Sequence, residues 1–249
     1  MKRSVLRWVA VAAVAAGVTA LAADLPRLLR RVEFFRVQRV EVVGTRYMAP
    51  HDVLALSGIT SASNLFDDAD AWRAALEAHP LVAAVRVERD LPSTVVLHVT
   101  EAEPVAFVRT PALLPVDASG RVLPIDPTER SLDLPVLAAA SRIGEDGRIA
   151  DPAALVLLAT LNAVRRAEPM LAAAVSEVAP AADGAVRLVL GEPAHVEVLL
   201  PAEPGGLRLR QLGLAIADLR ARQELARVKR IDARFHDQVV VTLTARTSS

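Results

Sequence analysis

The sequence predicts an α+β fold, with two domains behind an N-terminal apolar segment. Three observations carry this. Residues 80–104 hold two runs of alternating apolar and polar residues around a short break, the pattern of a hairpin with one buried face. Upstream, a strand and two helical patterns precede that hairpin. After Pro104 the character changes to short strand candidates interrupted by two longer helices.

In the hairpin, Val85 and Val87 oppose Arg86 and Glu88, while Val95, Leu97 and Val99 oppose Val96, His98 and Thr100. Asp90-Leu91-Pro92-Ser93 turns the chain, because proline fixes φ and Asp and Ser bond their own backbone. Before it, Val37–Val43 reads as a strand ended by Gly44. Pro50–Leu56 reads as a helix exposing Val53, Leu54 and Leu56 to a core, stopped by Gly58. A polar link, Ser61–Asp70, leads to a helix marked by Trp72, Ala75, Leu76 and His79, capped by Asp67 or Asp68. Residues 37–101 thus predict strand, helix, helix, strand, strand: a three-stranded sheet with both helices on one face. The aspartates 67, 68 and 70 are explained by capping and the helix dipole rather than by a metal.

Beyond Pro104, the strand candidates are Val105–Arg109, Leu113–Val116 and Arg121–Pro124, with Leu132–Leu137 as a further apolar island. Asp151-Pro152 opens a helix as cap and first residue, with Leu155, Leu158, Leu161 and Val164 as its face and Pro169 at its end. Val175–Val178, Val186–Leu190 and His195–Leu199 read as strands, the first two joined at Asp183-Gly184. A last helix follows Gly205-Gly206, with Leu209, Leu212, Ile216 and Leu219 inward and Arg208, Arg210, Arg220 and Arg222 on a solvated face. Val228–Phe235 and Val239–Thr244 close the sheet; in the second, Val239, Val241 and Leu243 oppose Val240, Thr242 and Thr244.

At 249 residues the chain can bury one or two cores. Twenty-nine basic and 29 acidic residues cancel, so no global charge draws it to nucleic acid. It has no cysteine, which excludes disulfides and thiolate chemistry. The N-terminus is more telling. Lys2, Arg3 and Arg7 precede an apolar run from Trp8 to Ala23, short for a membrane span. A cleaved signal peptide, with Ala20-Leu21-Ala22 as its cleavage match, and a retained anchor both fit. Either way, residues 27 onward are exported. Arg27–Arg36 then reads as a basic connector, more simply a solvated stalk than a lipid contact.

No constellation of catalytic groups appears. The five histidines are scattered without an HExxH pair, and no GxSxG turn, P-loop or dinucleotide fingerprint is present. Glu101 and Glu103 read as solvated carboxylates. We assign no catalytic, cofactor-binding or metal-ligating residue.

The words inside these elements resemble the FtsQ/DivIB division proteins. The likeness rests on Phe35-x-Val37-x-x-Val40-x-Val42-x-Gly44, Asn64-Leu65-Phe66, and Pro80-x-Val82-x-x-Val85-x-Val87-x-Arg89-x-x-Pro92-x-Thr94. It continues through Glu101-x-x-Pro104-Val105-Ala106, Asp117-x-x-Gly120-Arg121-Val122, Leu134-Pro135-Val136-Leu137 and Ile231-Asp232-Ala233-Arg234-Phe235. Departures are Ala102-Glu103, Leu199-Leu200-Pro201 and Ala233, where the family commonly has other residues.

The resemblance implies a cytoplasmic tail over 1–7, a retained transmembrane helix over 8–25 and a juxtamembrane connector over 26–36. It further implies a POTRA domain over 37–103 (β-α-α-β-β), a mixed β-domain over 104–245 with a largely antiparallel sheet, and a tail over 246–249. The protein would be a non-enzymatic scaffold at the division septum, its N-terminus in the cytoplasm and its bulk in the periplasm. Its partners would be FtsB- and FtsL-like proteins, with other division proteins reached through the POTRA domain. The implied partner-binding positions are Arg234, Phe235, Asp237, Val240, Thr242 and Leu243. If Val239–Thr244 is an edge strand, a partner strand can add to it. Val240 and Thr242 are the expected bearers of the free backbone donors. A different reading of the POTRA pattern, a factor assembling outer-membrane or secreted chains, would call for several POTRA copies or a long barrel. An exported hydrolase is weakened by the absent motifs.

Overall fold

The computed structural model describes residues 29, 32–191, 195–235 and 238–244. Residues 1–7 and 8–25, expected to be a tail and a transmembrane helix, lie outside them. Among the described residues, no helix is long and apolar enough to cross a membrane. The chain divides into two compact units at Ala102/Glu103.

The first unit has strand β1 (Arg39–Val43), helices α1 (Pro50–Ser57) and α2 (Ala69–Glu77), and strands β2 (Val82–Asp90) and β3 (Thr94–Glu101). Sheet order is β1-β3-β2, with β1 parallel and β2 antiparallel to the central β3. The alternation read in the sequence is the burial observed: Val95, Leu97 and Val99 are buried, while Thr94, Val96 and His98 are half-buried and Thr100 is exposed. Fully burying a residue such as Leu97 contributes about 1.5–3 kcal/mol. Trp72 and Leu76 of α2 and Val53 of α1 complete this core. Leu54 and Leu56 turn outward instead, because Val53 and Ser57, one helical turn apart, make the inward line.

The link between the helices is more ordered than its composition suggested. Asn64 accepts the Phe66 amide at 3.0 Å through its side-chain oxygen, and Asp67 accepts the Asn64 amide at 2.7 Å. Asp67 is thereby occupied, and Asp68 caps α2 by accepting from the Asp70 amide at 3.0 Å. Gly44 sits at φ +94°, with the Val99 carbonyl where a Cβ would stand, so only glycine fits there. Glu101, at the far end of β3, holds the following loop: its carboxylate accepts the amides of Arg46, Tyr47 and Met48 at 2.9, 2.7 and 2.8 Å. The solvated role expected for it from sequence is replaced by this latch.

The second unit is one eight-stranded sheet in the order β11-β10-β9-β8-β7-β6-β4-β5. Its strands are β4 (Pro104–Arg109), β5 (Leu113–Asp117), β6 (Val136–Ala140), β7 (Val175–Pro180), β8 (Val186–Leu190), β9 (Glu197–Leu200), β10 (Val228–Asp232) and β11 (Val240–Leu243). Helices α3 (Pro152–Ala167), α4 (Pro169–Ala172) and α5 (Gly206–Ala221) accompany them. A single core joins Leu157, Leu161 and Val164 of α3 and Leu209, Leu212 and Ile216 of α5 to Leu137, Val178, Leu188, Val198 and Ile231 of the sheet.

Three details differ from the sequence reading. The sheet is mixed rather than largely antiparallel: four pairings are antiparallel, but β4–β6, β6–β7 and β9–β10 are parallel. Asp151 stands at the N-cap of α3 without capping it, since its carboxylate accepts the Arg142 amide. Leu155 lies about 120° around the helix from Leu161, at 100° per residue, and is exposed, while Ala154 takes the inward place.

The two edges of this sheet are built differently. Arg121–Pro124 forms no strand but crosses the outer side of β5, where Leu123 donates to the Pro115 carbonyl and Asp117 to that of Arg121. Pro115 itself has no amide to offer. No such cover lies along β11 among the described residues.

The Glu101 latch predicts that Glu101→Ala will lower the unfolding free energy by about 2 kcal/mol, since three amides lose a charged acceptor. Urea denaturation would measure it, and an unchanged midpoint would contradict it.

Candidate functional site

Of the partner-binding residues expected from sequence, Arg234, Phe235, Val240, Thr242 and Leu243 gather at the outer edge of the second sheet. Helix α5 carries the chain from β9 back to a parallel β10, which therefore lies beside β9 with its other side open. That open side is taken by β11, antiparallel to β10, pairing Asp232 with Val240, Ile231 with Val241, Arg230 with Thr242 and Val228 with Leu243. Between Val228 and Arg230 the register shifts by one residue, a bulge on β10.

This register decides which backbone groups are free. Thr244 donates its amide to the Arg227 carbonyl at 2.8 Å, so it faces β10. Successive amides in a strand point to opposite sides, and the extra residue lies on β10, not β11. Thr242 and Val240 therefore also turn their amides and carbonyls toward β10. Val241 and Leu243 turn theirs outward, with no partner among the described residues. The free donors belong to Val241 and Leu243 rather than to Val240 and Thr242. Alternation in the sequence finds the two sets but not which of them faces out; the bulge and the Thr244 bond settle that.

The side chains of the edge divide in two. Val241 and Leu243 share the face of their cross-strand partners Ile231 and Val228, both buried against the helices. At the edge this apolar stripe emerges into solvent, with Val241 37% and Leu243 49% exposed. Val240 and Thr242 share the opposite face with Asp232 and Arg230.

That opposite face bears a ladder of alternating charge running to the edge. Arg187 bonds Glu177 at 3.3 Å and Glu197 at 3.2 Å, and Arg230 bonds Glu197 at 2.9 Å. The bond from Arg230, joined by that from Arg187, holds the Glu197 carboxyl below its ordinary range against the opposing effect of burial. Beside it Arg234 grips Asp232 through two nitrogens, the shortest contact 2.7 Å, and this bond lowers the Asp232 pKa likewise. Arg208 of α5 in turn donates to the Arg234 carbonyl at 3.1 Å, and Ala233 donates to Leu199 at 2.9 Å.

Arg234, Val240, Thr242 and Leu243 are thus brought together, and Phe235 stands just beyond them, 45% exposed. Asp237 lies outside the described residues. Val241, Arg230 and Asp232, absent from the sequence-based set, belong to the same edge.

Residues 35–102 match the model of the FtsQ-type POTRA domain, and residues 106–234 match that of the cell division protein FtsQ/DivIB C-terminal domain. Cell division protein FtsQ of Syntrophotalea carbinolica is 32% identical over 126 residues, which is 50% of this chain and 45% of that protein. Cell division protein DivIB of Geobacillus kaustophilus is 32% identical over 104 residues, 41% of this chain and 40% of that protein. In these two the match spans less than half of the relative's own length. Cell division protein FtsQ of Rhodothermus marinus is 31% identical over 232 residues, 88% of this chain and 81% of that protein.

The charge pairs make a prediction about acid. A carboxyl whose pKa is lowered on folding contributes stability above its unfolded pKa, near 4, and loses that contribution as pH falls through the folded value. The urea midpoint will therefore fall below about pH 4. Arg230→Ala and Arg234→Ala will flatten that fall, because each removes the main cause of one shift. Variants that keep the wild-type acid slope would contradict the assignment.

Proposed function

The chain belongs to the FtsQ/DivIB family of cell division proteins, and from that premise we propose that it is a membrane-anchored scaffold of the division machinery. Its outer sheet edge receives a strand from an FtsB- or FtsL-type partner in the periplasm. In this reading residues 1–7 lie in the cytoplasm, 8–25 cross the inner membrane once and 26–36 connect. The domain over 37–103 contacts other division proteins, the domain over 104–245 docks the partner, and 246–249 trail beyond it.

The single observation supporting the docking mode is the outward row on β11: the amides and carbonyls of Val241 and Leu243 face away from β10 and meet no partner among the described residues. An added strand would satisfy them, backbone bonds giving affinity and neighbouring side chains giving choice. The exposed stripe of Val241 and Leu243 would take apolar residues of that strand, while Arg234 and Phe235 would meet its flank. The far edge, at β5, is crossed by residues 121–123 and carries a proline, so it offers no comparable row. Nothing in the comparisons favours an assembly factor for outer-membrane or secreted chains, and a non-enzymatic role accords with the family.

Proline separates the two sides of the strand. Val241→Pro and Leu243→Pro each remove an outward donor and should abolish co-purification with the FtsB-type partner, with the unfolding midpoint close to wild type. Val240→Pro and Thr242→Pro each remove an inward bond to β10 and should cost about 1–3 kcal/mol of stability. Retention of the partner by both Val241→Pro and Leu243→Pro would exclude strand addition.

A further inference from the structure

We infer that Val32 and Phe34, together with the exposed arginines of the same segment, Arg36 and Arg39, form a contact surface for the headgroup layer of an anionic lipid bilayer. This rests on the reading of residues 8–25 as a retained anchor.

Three of the chain's five phenylalanines lie in one row. Phe66 meets Phe35 edge-on at 5.1 Å, and Phe35 meets Phe34 edge-on at 5.3 Å. Phe35 is partly buried, but Phe34 at the outer end is 65% exposed and Val32 42%. Their backbone is fixed. Asn64 donates its side-chain amide to the Val32 carbonyl at 3.2 Å, Leu65 donates to Phe35 at 2.8 Å, and Val37 to Ser63 at 2.9 Å. The first unit thus holds two apolar side chains out in water on a stitched segment.

What covers them follows from their place in the chain. The apolar run ending at Ala23 lies eleven residues before Phe34. Eleven residues span about 16 Å as helix and about 37 Å extended, so a membrane-held run keeps Phe34 within reach of the lipid surface. Residues 27–39 hold five arginines against the single acid Glu33. Of these, Arg36 meets Glu33 at 3.2 Å and Arg39 meets Glu41 at 3.8 Å, exposed pairs that are weak in water and leave the guanidinium groups able to reach phosphates. Apolar and aromatic side chains beside basic ones suit the boundary between headgroups and acyl chains of an anionic leaflet. The basic connector is then more than a solvated stalk.

The absence of native cysteine makes the test direct. Ala15→Cys, Phe34→Cys and Leu91→Cys would each place one nitrobenzoxadiazole fluorophore on the full-length chain, reconstituted in vesicles of phosphatidylcholine with or without phosphatidylglycerol. Leu91 is the control, 64% exposed at the β2–β3 turn. The position-34 probe should shift to the blue and be quenched several-fold more than that at 91 by headgroup-level nitroxide lipids, more strongly with phosphatidylglycerol. A position-34 probe as unquenched as position 91, while the position-15 probe is quenched by deep nitroxides, would overturn the inference and leave the anchor standing. Shielding of position 34 only by an added protein partner would also overturn it, as would equal quenching in neutral and anionic vesicles. An unquenched probe at 15 would remove the anchor reading, and this inference with it.

Discussion

The parallel pairing of β10 with β9 is the constraint on which the candidate site depends. Two adjacent parallel strands need a crossover, and α5 supplies it over the covered face of the sheet, burying Leu209, Leu212 and Ile216. With β9 on one side, β10 can accept a neighbour only on the other. The chain returns there as β11, whose own outer side has no strand beside it among the described residues. The alternating charge ladder from Glu177 to Arg230 braces the solvent face of the same strands, and Arg234 clamps the end of β10 through Asp232. Packing on one face and ion pairs on the other hold the edge in place while its outward main-chain groups meet no partner among the described residues.

Edge strands invite unwanted association, and folds usually blunt them. Here the treatment is unequal. At β5 a proline and a crossing segment occupy the outer side, whereas β11 presents Val241 and Leu243, whose backbone groups meet no partner among the described residues and whose own side chains are partly exposed. A partner that satisfies two amides and two carbonyls and covers that stripe gains both backbone bonds and apolar burial, without rearranging the sheet.

Much of this was legible in the sequence. Alternation located both strands of the β2–β3 hairpin and their buried face, and helical spacing found Leu209, Leu212 and Ile216 of α5. The last strand and its two faces were also readable from Val239 to Thr244. Strand direction was not, because periodicity carries no sign: the island ending at Leu137 became a parallel strand starting at Val136. The outward donors escaped too, since the bulge at Val228–Arg230 lies on the neighbouring strand and leaves no mark in β11. Asp151 and Glu101 show the same limit from the polar side. Each carboxylate binds backbone amides brought near by the fold, Arg142 in one case and Arg46–Met48 in the other.

The central claim is that Val241 and Leu243 hold open main-chain positions for a partner strand. Amide-resolved hydrogen exchange on β11, with and without the FtsB-type segment, measures this most directly. The account predicts rapid exchange at Val241 and Leu243 alone, slower exchange at Val240 and Thr242, and strong protection of the first pair when the segment binds. Protection of Val241 and Leu243 in the absence of any partner, or no change when it binds, would contradict it.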